Sequence, residues 1–256
     1  MSFAVCCVSI SPLRSESSHK SEMVSQLLFG ERCLVLDESN KNWVRIKCQF
    51  DGYEGWCQDT HVRKLDESRY YDSKVRLSSE WVSDVELGGR HIRIPMGSSL
   101  PNPVKRLFEG RDGKLNFSGK LWDPAGVNIE KKKMKKIAFA FLNTPYLWGG
   151  RSVFGTDCSG FTQSVFKFFH INLLRDAWQQ ATQGAEVKNL QQSKFGDLAF
   201  FDNEEGKVVH VGILLGKQKI VHASGKVRID AVDTRGIINS DTGFRSHQLC
   251  SIKRFF

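Results

Sequence analysis

None of the seven cysteines stands in a CxxC pair, which removes zinc ribbons and thioredoxin-like redox motifs from consideration. No low-complexity tract exceeds a few residues and no strong internal repeat is visible, so disordered tails and solenoids are not expected. No basic residue precedes the apolar run in "MSFAVCCVSISPLR", and the run is too short to span a membrane. It makes a poor signal peptide and reads as a first β-strand. The expectation is a cytoplasmic protein whose buried thiols stay free in a reducing compartment. The densest basic run, Lys131-Lys132-Lys133-Met134-Lys135-Lys136, has no interleaved aromatic residues, which argues against single-strand nucleic-acid binding. Neither a nucleic-acid partner nor membrane insertion is expected, and the oligomeric state is left open.

What is present is a chain of 256 residues, 40% hydrophobic, with a net charge of +9. That suffices for one large domain or a medium domain with small companions. The charge is compatible with anionic partners or substrates. The lysine run is explained by helix periodicity: Met134, Ile137, Ala138, Phe141 and Leu142 fall on one face and leave the lysines on the other.

Two styles of sequence meet near residue 124. Before it, "ERCLVLDESNKNWVRIKC" and "FDGYEGWCQDTHVRKL" alternate strand-like runs with polar and Asp-Gly turns. Runs of that length and spacing suggest small all-β barrels, one over residues 1–64 and a second, similar one over 65–123. After it, Asn128 is placed to cap a helix reaching about Asn143, and "WGGRSVFGTD" is glycine-rich. A second amphipathic helix starts at Cys158, and "GDLAFFD", "KVVHVGILLG" and "QKIVHASG" read as strands. Residues 124–256 therefore form an α+β domain.

The chemistry centres on "GTDCSGF". A cysteine opening a helix faces unpaired N–H groups and the positive end of the helix dipole, which favour the thiolate. It needs a histidine as base, and that base needs an orienting partner. A three-residue hairpin loop at Gly216-Lys217-Gln218 sets residue 212 opposite 222, leaving His210 diagonal to His222 on one face with Gly212 making room. A two-residue loop would put the histidines on opposite faces. Cys158 is then the nucleophile, His210 the base and later acid, and His222 the orienting group. The oxyanion would meet N–H groups at the helix start. A Cys/His/His zinc site is the rival reading, but it lacks a fourth plausible ligand.

"YLWGG", "TDCSGF", "GDLAFF", "VVHVGILLG" and "IVHASG", in that order, resemble the NlpC/P60 family of cell-wall peptidases, which have a papain-like core. The preceding β region resembles two bacterial SH3-type domains. The three-domain layout is similar to the γ-D-glutamyl-L-diamino acid endopeptidases of the dipeptidyl-peptidase VI type. The resemblance implies cleavage of murein peptides after L-Ala-γ-D-Glu and before meso-diaminopimelate or lysine, with no metal or organic cofactor. It implies Cys158, His210 and His222 as the triad and Asp157 and Ser159 as peptide contacts. Tyr146 and Trp148 would line the cleft, and Asp176 would hold the substrate's free α-amine. Glu22 and Tyr53 of the first β domain would close one end of the cleft. Ala177 stands where the family often has serine, which removes one hydrogen bond to the peptide. A non-catalytic peptidoglycan-binding protein and an NlpC/P60-like amidase or acyltransferase are the alternatives.

Overall fold

In a computed structural model the structure describes residues 2–38, 41–72, 74–101, 114–125, 128–216 and 218–256. Residues 39 and 40 of the first polar turn, residues 102–113 of the second β region and Lys217 of the hairpin loop lie outside the described residues. The chain divides into two compact units, residues 1–127 with 148–153, and residues 128–147 with 154–256.

Among its described residues the first unit's regular elements are strands and single turns of helix. Ser2–Cys6, Ile10–Arg14, Met23–Leu28, Arg32–Asp37, Trp43–Cys48, Glu54–Gln58 and Val62–Lys64 make one seven-stranded sheet. Alternate residues of these strands point to one side, where Cys6, Leu13, Leu27, Cys33, Ile46, Cys48 and Cys57 fill a core. The next strands, from Val75 to Trp122, form two three-stranded sheets. The two β modules share a hydrophobic cluster in which Val5, Phe29, Leu65 and Tyr70 pack with Val85, Leu87, Ile94, Leu100 and Leu115.

In the second unit the helix expected from Asn128 to Asn143 is shorter, Lys131–Phe139, with Glu130 at its N-cap position. Its apolar face is as expected: Met134, Ile137 and Ala138 are buried. The three strands read from the sequence form as Leu198–Asp202, Val208–Gly216 and Lys219–Ser224. They continue into Lys226–Asp233, Gly236–Ile238 and Arg245–Arg254. The last strand pairs with both Leu198–Asp202 and Gly236–Ile238, so six antiparallel strands close into a barrel. Ala199, Phe201, Leu214, Ile220, Val232, Ile237 and Ile252 fill its interior. The fold is thus predominantly β with few helices. Among the described residues no helix is long and apolar enough to cross a membrane.

Candidate active site

The helix Cys158–Lys167 begins where it does because Asp157 caps it: its Oδ1 accepts from the Gly160 N–H at 2.7 Å. The buried Arg175 donates from Nη2 to Asp157 Oδ2 at 2.6 Å and from Nη1 to Ser159 Oγ at 3.0 Å. Asp157 and Ser159, singled out above as peptide contacts, have their side chains in this network. A carboxylate taken out of water at a buried helix start needs a cation and donors around it. Cys158 is itself buried, with Sγ 3.9 Å from the Val209 carbonyl oxygen, beside His210 in the chain. Burial pushes the Cys158 thiol up to about 12, and the Asp157 charge adds to it against Arg175 and backbone hydrogen bonds. The thiolate favoured by the helix start is therefore outweighed by desolvation.

The strand register places the histidines. Gly212 is the cross-strand partner of His222, the pairing expected of a three-residue loop, but Gly216 pairs with Lys219 and so belongs to the ladder and not to the loop. The ladder reaches this register through a shift between Leu214 and Gly216. His210 and His222 lie on the face of Leu214 and Ile220, which fill the barrel interior. His210 Nε2 and His222 Nδ1 are 2.8 Å apart. A Cβ on Gly212 would come within 2.8 Å of the His222 Cβ and 2.7 Å of Ile220 Cδ1, so a side chain here would push against the His222 strand. Burial drives the His210 imidazole well below its ordinary 6.5, helped by His247 and then His222. What results is a neutral imidazole held by a second one, on the strand whose backbone touches a buried thiol.

Residues 143–246 match the NlpC/P60 family and residues 13–62 match the bacterial dipeptidyl-peptidase SH3 domain. A γ-D-glutamyl-L-lysine dipeptidyl-peptidase of Bacillus subtilis is 31% identical over 91% of this chain and 81% of its own length. The chain belongs to the NlpC/P60 family. Dipeptidyl-peptidase 6 of Lysinibacillus sphaericus is 24% identical over 90% of this chain and 92% of its own. An NlpC/P60 family protein from Bacillus cereus, 19% identical, has the same fold over 99% of both chains with a TM-score of 0.80.

Of the other residues singled out in this NlpC/P60 chain, Tyr146 belongs to the second unit and is half-buried. Burial raises its hydroxyl pKa, with Cys158 and Asp157 adding to the shift against Arg175. Trp148 belongs to the first unit, where its Nε1 donates to Glu22 Oε1 at 2.6 Å. Tyr53, half-buried, packs against the core of the seven-stranded sheet. Asp176 follows Arg175 and forms a capping box at Ala177–Gln180, its backbone N–H donating to Gln179 Oε1 at 3.0 Å.

Two residues escaped the sequence reading. His247, on the last strand, stacks on His210 with centroids 4.0 Å apart and planes at 23°. Its strand carries no motif, and only barrel closure brings it there. Asp230 lies 3.0 Å from His222 Nε2. Its signal was available: counting across the Gly225 turn pairs His222 with Arg228 and puts Asp230 diagonal to His222, an acid on an inward face. With one ring nitrogen at His210 and the other at Asp230, His222 has no lone pair left for a metal.

Proposed function

We propose that the chain is a cysteine peptidase that hydrolyses the bond between γ-D-Glu and an L-diamino acid, meso-diaminopimelate or lysine. Its substrates are murein tri- and tetrapeptides with a free N-terminal L-Ala, and L-Ala-γ-D-Glu is released. The observation that carries the chemistry is the hydrogen-bonded His210–His222 pair, on the strand whose Val209 carbonyl lies against Cys158 Sγ. The names of the Bacillus subtilis and Lysinibacillus sphaericus relatives support the substrate class. The papain-like core and the paired SH3-like modules belong to the same reading, supported for the first module by the match over residues 13–62. We place the reaction in a reducing compartment, which suits seven unpaired thiols.

In the first step His210 takes the Cys158 proton as sulfur attacks the γ-carbonyl carbon. The oxyanion forms at the start of the Cys158 helix; the Gly160 N–H is already held by Asp157, which leaves the N–H groups before it. His210 then protonates the leaving α-amine of the diamino acid, leaving a thioester. It next removes a proton from water, which attacks the thioester, frees the dipeptide and restores the thiol. Asp176 is the acid that receives the substrate's ammonium, a pairing that a desolvated cation requires.

The test is incubation of the full chain with L-Ala-γ-D-Glu-meso-diaminopimelate and with the lysine peptide, followed by mass spectrometry. L-Ala-γ-D-Glu should appear, and Cys158→Ala should abolish it with the fold intact. Acetylating the N-terminus should remove most of kcat/KM, and Asp176→Ala should damage the free-amine substrate far more than the acetylated one. Equal cleavage of both peptides by the unmodified chain would make it an endopeptidase on longer wall peptides. Binding without cleavage would make it a wall-binding protein.

A further inference from the structure

We propose that Asp230 is a positioning residue of this site: it sets which nitrogen of His222, and through it of His210, carries the proton, so that His210 Nδ1 is the base. The proposal rests on the peptidase reading for its kinetic arm alone.

The argument follows the hydrogens outward from Asp230, which is 2% exposed. Its Oδ1 accepts from Arg228 Nη2 at 3.0 Å, from the Ser240 N–H at 3.0 Å and from the Ser240 hydroxyl. Its Oδ2 faces His222 Nε2 at 3.0 Å, with Arg228 Nε 2.9 Å away. Burial opposes ionisation here, yet the bonds from His222, Ser240 and Arg228 hold the carboxyl well below the usual range. Arg228 is anchored in turn by Asp241 at 2.8 Å. An ionised carboxylate has no hydrogen to give, so His222 donates from Nε2. Neutral His222 then has its lone pair on Nδ1 and accepts from His210, which must carry its hydrogen on Nε2. The lone pair of His210 is thereby left on Nδ1. Without Asp230 the His210–His222 bond forms equally well with both hydrogens reversed, and His210 Nδ1 would then be protonated and useless as a base.

The surroundings also define what Asp230→Asn would do. The donors converging on Oδ1 require an acceptor, so the amide oxygen takes that position. The amide nitrogen then faces His222 Nε2 and donates to it. His222 becomes protonated on Nδ1, donates to His210 Nε2, and His210 is left protonated on Nδ1.

The experiment has two arms. Two-bond ¹H–¹⁵N spectra of the full chain, labelled at histidine, read the tautomers directly at a pH where the rings are neutral. In the unmodified protein His210 and His222 should both carry hydrogen on Nε2, and in Asp230→Asn both on Nδ1. Either ring protonated on Nδ1 in the unmodified protein overturns the proposal, whether or not any peptide is cleaved and whether or not the variant folds. In the kinetic arm Asp230→Asn should lower kcat on the order of 10³–10⁴-fold with KM little changed, the size seen when a base is held in the wrong tautomer. A purely structural role would instead lower the folded fraction and leave kcat per folded molecule within about tenfold, which would also overturn it.

Discussion

Cys158 and His210 are both pushed toward their neutral forms, the thiol up to about 12 and the imidazole well below 6.5. The resting pair is then thiol and imidazole, and the nucleophile is made by proton transfer during attack. The rings facing His210 are those of His222, His247 and Phe201, and Cys158 Sγ lies 3.9 Å from the carbonyl oxygen of the preceding Val209. The sign is simple: protonating His210 removes the base, and a depressed pKa delays that protonation as pH falls. The acid limb of kcat/KM should therefore have its midpoint below 6.5. Since His247 both covers and repels the ring, His247→Ala should move that midpoint upward, and His247→Phe, which keeps the cover, should move it less. A pH–rate series on the three proteins checks this, and an unmoved limb in His247→Ala would remove His247 from the account.

At the scale of elements, the hairpin from Val208 to Ser224 was the most legible part of the site. Period-two alternation put His210, Gly212 and His222 on one face, provided that 212 opposed 222, and the register has that pairing. Gly216, at φ +75°, sits at the register shift that delivers it. Gly212→Ala is the sharpest probe of this packing. Its Cβ would stand 2.7 Å from Ile220 Cδ1 and 2.8 Å from His222 Cβ, so the His222 strand must move. We expect a loss of about 1–3 kcal/mol in stability, measured by urea unfolding, and a fall in kcat of at least tenfold from the displaced His222. Unchanged kcat would mean that the His210–His222 contact tolerates the shift. The start of the Lys131–Phe139 helix was less legible. Asn128 is a good capping residue, but propensity at helix ends is weak against packing, and Glu130 occupies the position.

Across the whole molecule, the glycine-rich lead-in "WGGRSV" is where local reading has least to say. It reads as a loop before the nucleophile, yet residues 148–153 belong to the first unit. There Arg151, 1% exposed, donates to Glu31 Oε2 at 3.0 Å, to Glu31 Oε1 at 3.1 Å and to the Gln26 carbonyl at 2.6 Å. Gly149, at φ +77°, lies where a Cβ would collide with the Met23 carbonyl. Removing Glu31 strands a buried guanidinium, so Glu31→Ala should cost about 3–5 kcal/mol in denaturant unfolding of the full chain. A loss below about 1 kcal/mol would show that water reaches Arg151 once its partner is gone.

The sequence by itself determined the nucleophile candidate, the histidine pair, the amphipathic faces and the change of style near residue 124. All of these follow from short-range spacing: a period of two along a strand, 3.6 along a helix, and turn residues that count a hairpin. Only the tertiary structure decided that the six strands close into a barrel, which carries His247 from the last strand onto His210. It decided that Asp157 and Ser159 are bound to Arg175, and that Arg151 answers Glu31. Those pairings join residues up to 120 positions apart. Nothing in local periodicity selects them, because a buried charge takes whichever partner the packing of distant segments brings within reach.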